Sequence, residues 1–285
     1  MTPGASVEID TREALDAFSR AFCGAVIDFE HRLRTAPQGT ASAADTPSLG
    51  VLVALEAFGP LRPVVITGLL GMTTGGATKV VDRIERRGLV RRQAGAVPGD
   101  RRAVVVGLTD SGRLAIAYAE QALRAVGSEV VGAITALLGP MPDPGPAPPG
   151  GAVGALYGFF GPVDEAVVEA IDGSNVLSPG DPRGILVLLE TVHGGALPLH
   201  AVPCLVDRSR AATHRLVTAL VHEDLVARQT STRDRRLVAL VPTDHGHMVA
   251  RRIIDSLEHR RPAWEPPAAA LAAALSTAPA HPVQT

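Results

Sequence analysis

The sequence predicts a mainly helical protein whose only sheet lies in two small antiparallel hairpins, and three observations predict it. A stretch of about two dozen residues occurs twice. Apolar residues recur at spacings of three and four on both sides of each copy. A proline- and glycine-rich run separates the two halves. The repeated stretch reads LVRRQAGAVPGDRRAVVVGLTDSG at 89–112 and LVARQTSTRDRRLVALVPTDHG at 225–246. Leu89, Val90, Arg92 and Gln93 recur as Leu225, Val226, Arg228 and Gln229. Asp100, Arg101, Arg102, Val104, Thr109, Asp110 and Gly112 recur as Asp234, Arg235, Arg236, Val238, Thr243, Asp244 and Gly246. The register slips by two residues between these blocks, where a hairpin tip absorbs a length change at little cost. A repeat of this length points to two copies of one module.

Each element follows from local pattern. Ala77, Val80, Val81 and Ile84 fall at i, i+3, i+4 and i+7 and make one apolar helical face, with Thr73 as N-cap and Gly88 as the stop. The second copy offers Ser209 as cap, then Thr213, Leu216, Val217 and Leu220 at the same spacing. After each helix come a basic segment, a turn and a β-branched run, Ala103 to Leu108 and Leu237 to Val241, which read as hairpins. Upstream, Val51, Leu52 and Leu55 lead through Gly59-Pro60-Leu61 to Leu69-Leu70-Gly71, two short helices about a Gly/Pro turn. Leu186 to Leu189, Gly194-Gly195 and Leu199 to Val206 are the counterpart.

The flanks read as long helices with apolar seams that pack on partner helices. Leu15, Phe18, Phe22, Val26, Phe29 and Leu33 form one seam, and Ile116, Leu123, Val126, Val130, Ile134 and Leu137 another. Phe159, Val163, Val167 and Ile171 precede the second copy; Val249, Ile253, Ile254 and Leu257 follow it. Gly158 and Gly161-Pro162 are expected to break the helix that leads the second copy, so that it starts late. The expected domains are 1–138, a first module with its flanking helices; 139–151, a Pro/Gly linker; 152–262, a second module; and 263–285, an Ala/Pro-rich tail with one short helix at Ala268–Leu275.

Helix, helix, capped helix and basic hairpin, in that order, make a winged helix-turn-helix. The segment LLGMTTGGATKVVDRIERRGLVRR followed by GDRRAVVVGLTDSG resembles the MarR family of bacterial transcription regulators, over 49–115 and more loosely over 183–250. The D-R-R block followed by L-T-x-x-G carries most of that resemblance. One winged helix per chain is usual in that family, and two chains pair through their terminal helices. Two winged helices in one chain imply a fused, asymmetric pseudo-dimer, monomeric in solution. The resemblance implies double-stranded DNA as partner and a small-molecule effector seated between the helical region and the winged helices.

Charge supports a DNA partner. The net charge is −2, yet residues 73–102 carry eight basic and three acidic side chains, a balance of +5, and residues 207–236 seven and four, a balance of +3. The remainder therefore sums to −10, and positive charge is concentrated where DNA would lie. Lys79 is the only lysine; the other cations are arginines, suited to bidentate phosphate or guanine contacts. Thr73, Thr74, Gly75, Thr78 and Lys79 in one copy, and Ser209, Arg210, Thr213, His214 and Arg215 in the other, take the N-terminal positions of the helix that enters the major groove. Gly75 and Gly76 weaken the first helix by about 1 kcal/mol each relative to alanine and permit close approach to phosphate. Asp100-Arg101-Arg102 and Asp234-Arg235-Arg236 stand at the wings, where an arginine enters the minor groove. By resemblance each aspartate orients Arg102 or Arg236.

Other chemistry is weakly represented. Cys23 and Cys204 are too few for a disulfide framework; both read as buried thiols. His200 with Cys204, and His245 with His247, have metal-compatible spacing but lack clustered further ligands, so no metal and no cofactor is expected. No nucleophile–base set, phosphate loop or carboxylate pair stands out, which argues against an enzyme. No apolar run approaches a membrane span and the N-terminus lacks a hydrophobic signal region, so a cytoplasmic location is expected. The function read from the sequence is a sequence-specific DNA-binding transcription regulator, a repressor released by a small molecule and reading an asymmetric operator. The rival is a winged-helix protein-interaction module with weak or lost DNA binding.

Overall fold

The computed structural model describes residues 11–36, 46–70, 73–94, 103–139, 151–171, 174, 176–177, 181–230 and 238–276. In chain order the elements are α1 (Thr11–Arg34), α2 (Thr46–Phe58), α3 (Pro63–Leu69), α4 (Thr74–Arg86), β1 (Val90–Ala94), β2 (Val104–Leu108), α5 (Asp110–Leu138), α6 (Gly151–Ala170), α7 (Arg183–Gly194), β3 (Leu197–Pro198), α8 (Val202–Leu205), α9 (Arg210–His222), β4 (Val226–Thr230), β5 (Val238–Pro242), α10 (Asp244–His259) and α11 (Arg261–Ser276). The chain is mainly helical with two small antiparallel sheets, as a winged helix requires. It divides into two compact units that do not follow chain order. One comprises 1–27, 129–141 and 160–266; the other comprises 28–128, 142–159 and 267–285.

In the unit holding 28–128, β1 pairs with β2 from Val90↔Leu108 to Ala94↔Val104, and Leu61 bridges to Val106 as a third, single-residue rung. In the unit holding 160–266, β4 pairs with β5 from Val226↔Pro242 to Thr230↔Val238, and β3 adds the rungs Leu197↔Leu240 and Pro198↔Ala239. Nine residues separate the paired strands in the first hairpin and seven in the second. The two-residue slip of the repeat thus falls between the strands.

The same backbone features recur 136 residues apart up to the first wing strand, and 134 apart beyond it. Gly59 and Gly195 are left-handed, as are Gly88 and Asp224. Thr73 Oγ1 accepts from Gly76 N at 3.1 Å and Ser209 Oγ from Ala212 N at 3.3 Å, capping α4 and α9. Thr109 Oγ1 donates to the Gly88 carbonyl at 2.6 Å and accepts from Gly112 N at 3.1 Å. Thr243 Oγ1 donates to the Asp224 carbonyl and accepts from Gly246 N at 2.9 Å. A Cβ on Gly112 would stand 2.2 Å from the Leu89 carbonyl oxygen, and one on Gly246 2.0 Å from that of Leu225. The T-D-x-G run is therefore a joint: it caps the following helix and holds it against the end of the recognition helix.

Every seam position read from the sequence is buried. In the unit holding 160–266, Phe18 stacks on Trp264 with centroids 5.7 Å apart, and Phe22 meets Phe160 edge-on at 5.7 Å. Trp264 is fully buried and its Nε1 donates to the Leu257 carbonyl at 2.7 Å. Arg183, 2% exposed, donates to the Val206 carbonyl at 2.9 Å and pairs with Asp181 at 2.8 Å, tying α7 to the end of α8. In the other unit Glu120 of α5 accepts from Val153 N at 2.7 Å and so caps α6, while burial pushes its carboxyl pKa up. Tyr157 packs over Gly50, where a Cβ would come within 3.0 Å.

Four expectations are corrected. The helix leading the second copy does not start late: α6 is continuous with Pro162 inside it. A proline ring clashes with the carbonyl four residues back and with the Cβ just before it. Gly158 has open space around it, and Gly161 has no Cβ to clash, so the glycines that read as breakers accommodate the proline. The helix expected at Ala268–Leu275 is longer: α11 runs from Arg261 to Ser276 and buries Ala268, Leu271, Ala272 and Ala274, with Arg124 donating to the Ala274 carbonyl at 2.8 Å. Cys204, expected in a core, is exposed at the end of the single-turn α8. Finally, α5 is long and apolar enough to cross a membrane by length and composition, with an 18-residue window of mean hydropathy 1.2, of which 39% is buried. The alanines between its seam residues raise that hydropathy.

The joint makes a direct prediction. Gly246→Ala forces Cβ into the Leu225 carbonyl and should cost on the order of 2–3 kcal/mol of stability, as overpacking does. Gly75→Ala, in open space, should stabilise slightly. Denaturant melts of both variants check this, and an unchanged midpoint for Gly246→Ala would contradict the joint.

Candidate nucleic-acid interface

The two capped helices present different surfaces. On α4, Thr73, Thr74, Gly75, Thr78 and Lys79 are all exposed, while Ala77, Val80, Val81 and Ile84 are buried. On α9, Ser209, Arg210, His214 and Arg215 are exposed, with Thr213, Val217 and Leu220 beneath. Thr213 must therefore leave the set of DNA-facing residues. It is 3% exposed and occupies the position of Ala77, on the face that meets the core. The wing residues Asp100, Arg101, Arg102, Asp234, Arg235 and Arg236 lie outside the described residues.

Folding redistributes the charge that the sequence counts. Arg92 of β1 turns back onto α4: its backbone N–H donates to Glu85 Oε1 at 3.0 Å, and its guanidinium pairs with Glu85 and Asp82. Those bonds and charges raise its pKa against a desolvation cost that lowers it. In the second copy Thr218 and Val221 replace the two carboxylates, and among the described residues Arg228 bonds to the Thr218 hydroxyl at 3.4 Å. Helix α4 holds three cations and two carboxylates, whereas α9 holds two arginines, two histidines and no carboxylate. The less basic segment thus carries the more positive recognition helix. Arg92 and Arg228 occupy equivalent strand positions, so only the three-dimensional pairing distinguishes a strut from an available cation.

Gly75 is a separate signal. A Cβ there would meet nothing within 4 Å, so the protein's own packing does not require glycine at that exposed first turn. A close approach of duplex backbone to that turn is one use the missing side chain would serve. Gly75→Ala should then lower duplex affinity about tenfold while raising helix stability, the cost of one lost close phosphate contact being on the order of 1–2 kcal/mol. Unchanged affinity by fluorescence anisotropy would remove that contact.

An apolar cavity lies in the unit holding 160–266, lined by Phe18, Phe22, Cys23, Phe160, Asp164 and Ile185 among others. Its volume is about 40 Å³, well below the ~150 Å³ that admits benzene. Burial pushes the Asp164 carboxyl up to about 6 and the Cys23 thiol up to about 12, so Cys23 is held as an unreactive thiol. Among the described residues no three histidine, cysteine or carboxylate side chains are grouped to hold a metal.

No curated protein sequence matches the chain. Among solved structures, a crystal structure described as a probable transcriptional regulator from Pseudomonas aeruginosa is 25% identical, with 38% of this chain and 77% of that one covered at a TM-score of 0.31. The YusO protein from Bacillus subtilis is 20% identical, with 37% and 72% covered, also at 0.31. The MarR family profile matches residues 45–103, which span α2, α3, the recognition helix α4 and the first wing strand. Over those residues the chain carries a MarR family domain.

Proposed function

We propose that the chain is a sequence-specific DNA-binding transcription regulator, a repressor with two winged-helix modules in one chain, reading an asymmetric operator. The observation that carries this reading is the pair of capped helices α4 and α9, built alike and surfaced differently. Each exposes its N-terminal turn beside a hairpin that carries a D-R-R block. The recurrence of left-handed residues, caps and T-D-x-G joints supports two copies of one module. A homodimer presents identical helices and reads a palindrome. Here the guanine-capable arginines Arg210 and Arg215 stand on one helix only, against Thr74 and Lys79 on the other. Arg102 and Arg236 supply the minor-groove contacts of the wings, and a small molecule releases the complex.

The first module also favours a second reading. Its α3 region exposes Phe58, Val64 and Leu69 at 62%, 71% and 48%, and its Arg92 is neutralised. That surface suits a protein partner, with DNA binding left to the second module.

Binding-site selection on the purified chain tests the main reading. It should recover an asymmetric site, guanine-rich under the second module, and Arg210→Thr should relax discrimination in that half alone by about 1–3 kcal/mol per guanine. A perfect palindrome, or equal loss across both halves, would sink it. Weak salt dependence of affinity for arbitrary duplex would favour the interaction module instead.

A further inference from the structure

The helix α9 is tied at both ends by side chains outside its N-terminal reading turn, and both ties come from the connection between α6 and α7. At the far end Glu223, the residue that closes α9, accepts a 2.6 Å bond from Ser174 Oγ. At the near end Arg183, 2% exposed, donates from Nε to the Val206 carbonyl at 2.9 Å, three residues ahead of the cap Ser209. Asp181 completes that tie: it pairs with the Arg183 guanidinium at 2.8 Å and lies 3.8 Å from that of Arg208 in the turn before α9. The connection is itself seated. Ser174 Oγ accepts from Leu177 N at 3.0 Å, Leu177 is buried, and a Cβ on Gly184 would stand 2.7 Å from the Val176 carbonyl oxygen. Ser174 N donates to the Ile171 carbonyl at 2.9 Å, one residue past the end of α6. All of these residues belong to the unit holding 160–266.

Local stability does not select these side chains. A carboxylate at a helix C-terminus opposes the helix dipole, so Glu223 by itself disfavours α9. A buried guanidinium is costly unless its bonds are met. The positions 136 residues before Arg183 and Glu223 hold Pro47 and Arg87. A proline offers no side-chain donor and an arginine no acceptor, so neither tie can be made with those residue types. What the two ties accomplish is geometric. The 13 residues of α9 make a rod of about 20 Å, and fixing both ends fixes its angle. Arg210 and Arg215 stand exposed in its first half, so that angle decides which base edges they reach.

We propose that Ser174, Arg183 and Glu223 are positioning residues that set the angle of α9 for base readout without touching DNA themselves. They act on specificity more than on affinity. Phosphate contacts orient the protein and carry no sequence information, whereas a bidentate arginine–guanine pair depends on geometry. The α6–α7 connection is then the part of the fold through which α6 bears on the reading helix. The inference rests on the DNA-binding reading.

Fluorescence anisotropy of the full chain on three duplexes tests it: the selected site, that site with the half relaxed by Arg210→Thr scrambled, and that site with the other half scrambled. Glu223→Ala and Ser174→Ala should each lower discrimination in the Arg210 half by about three- to tenfold and leave the other half unchanged. Glu223→Gln keeps an acceptor for Ser174 and should keep wild-type discrimination. The double variant Ser174→Ala/Glu223→Ala should lose no more than either single one, because both remove the same bond. Arg183→Lys keeps the charge but cannot span the Val206 carbonyl and Asp181 with a rigid fork, and should show the same loss in the same half. Thermal melts read folding separately, and Glu223→Ala, at a half-buried position, carries the test if the buried Arg183→Lys does not fold. Wild-type discrimination in both Glu223→Ala and Ser174→Ala would overturn the positioning role and leave the DNA reading intact. Equal loss in both halves would overturn it as a general loosening of the fold, and a loss in Glu223→Gln as large as in Glu223→Ala would overturn it as an effect of charge. A wild-type chain that binds no duplex would overturn the DNA reading itself, and the positioning role with it.

Discussion

The contact on which each capped helix and its hairpin depend is a glycine pressed against a carbonyl. At 112 and 246 the first turn of a long helix comes so close to the Leu89 or Leu225 carbonyl that no side chain fits between them. The threonine three residues earlier closes the same joint, bonding the left-handed residue that ends the recognition helix and capping the new helix in one stroke. Recognition helix, wing and long helix are thereby fixed to one another by four backbone groups and one hydroxyl. With the joint in place, the exposed faces of α4 and α9 can change without disturbing the scaffold, and in this chain they have changed.

Much of this was legible in the sequence because it rests on local rules. A threonine or serine before an amphipathic run is a cap, and both caps form. Every residue of the helical seams is buried, because a period of three and four has only one way to face a core. What the sequence concealed is what long-range contact decides. Gly158, Gly161 and Pro162 signal a break one by one; together they fit a continuous helix. The Ala/Pro tail hides Trp264, which finds its stacking partner nearly 250 residues away in Phe18.

The candidate site was legible in position and only partly in content. Nine of the ten recognition-helix positions are exposed as expected. Thr213 fails because one residue type can serve either face of a helix: its spacing placed it with the core while its hydroxyl suggested DNA. Charge counts and folded pairings rank the two segments differently. The first segment has the greater positive balance, yet Asp82 and Glu85 consume Arg92 within it. The second segment holds fewer cations, yet Arg210 and Arg215 stand exposed on α9, which carries no carboxylate. A count of charges along a chain gives the partner's sign; which module holds it more tightly depends on pairings across the fold.

The central claim is that one chain supplies two non-equivalent reading helices. The most direct test is the molar mass of the protein alone and on a selected operator duplex, by light scattering across a tenfold range of concentration. The account predicts one chain of 29.5 kDa free in solution and one chain per duplex. Two chains on a single duplex, related by a palindromic footprint, would contradict it.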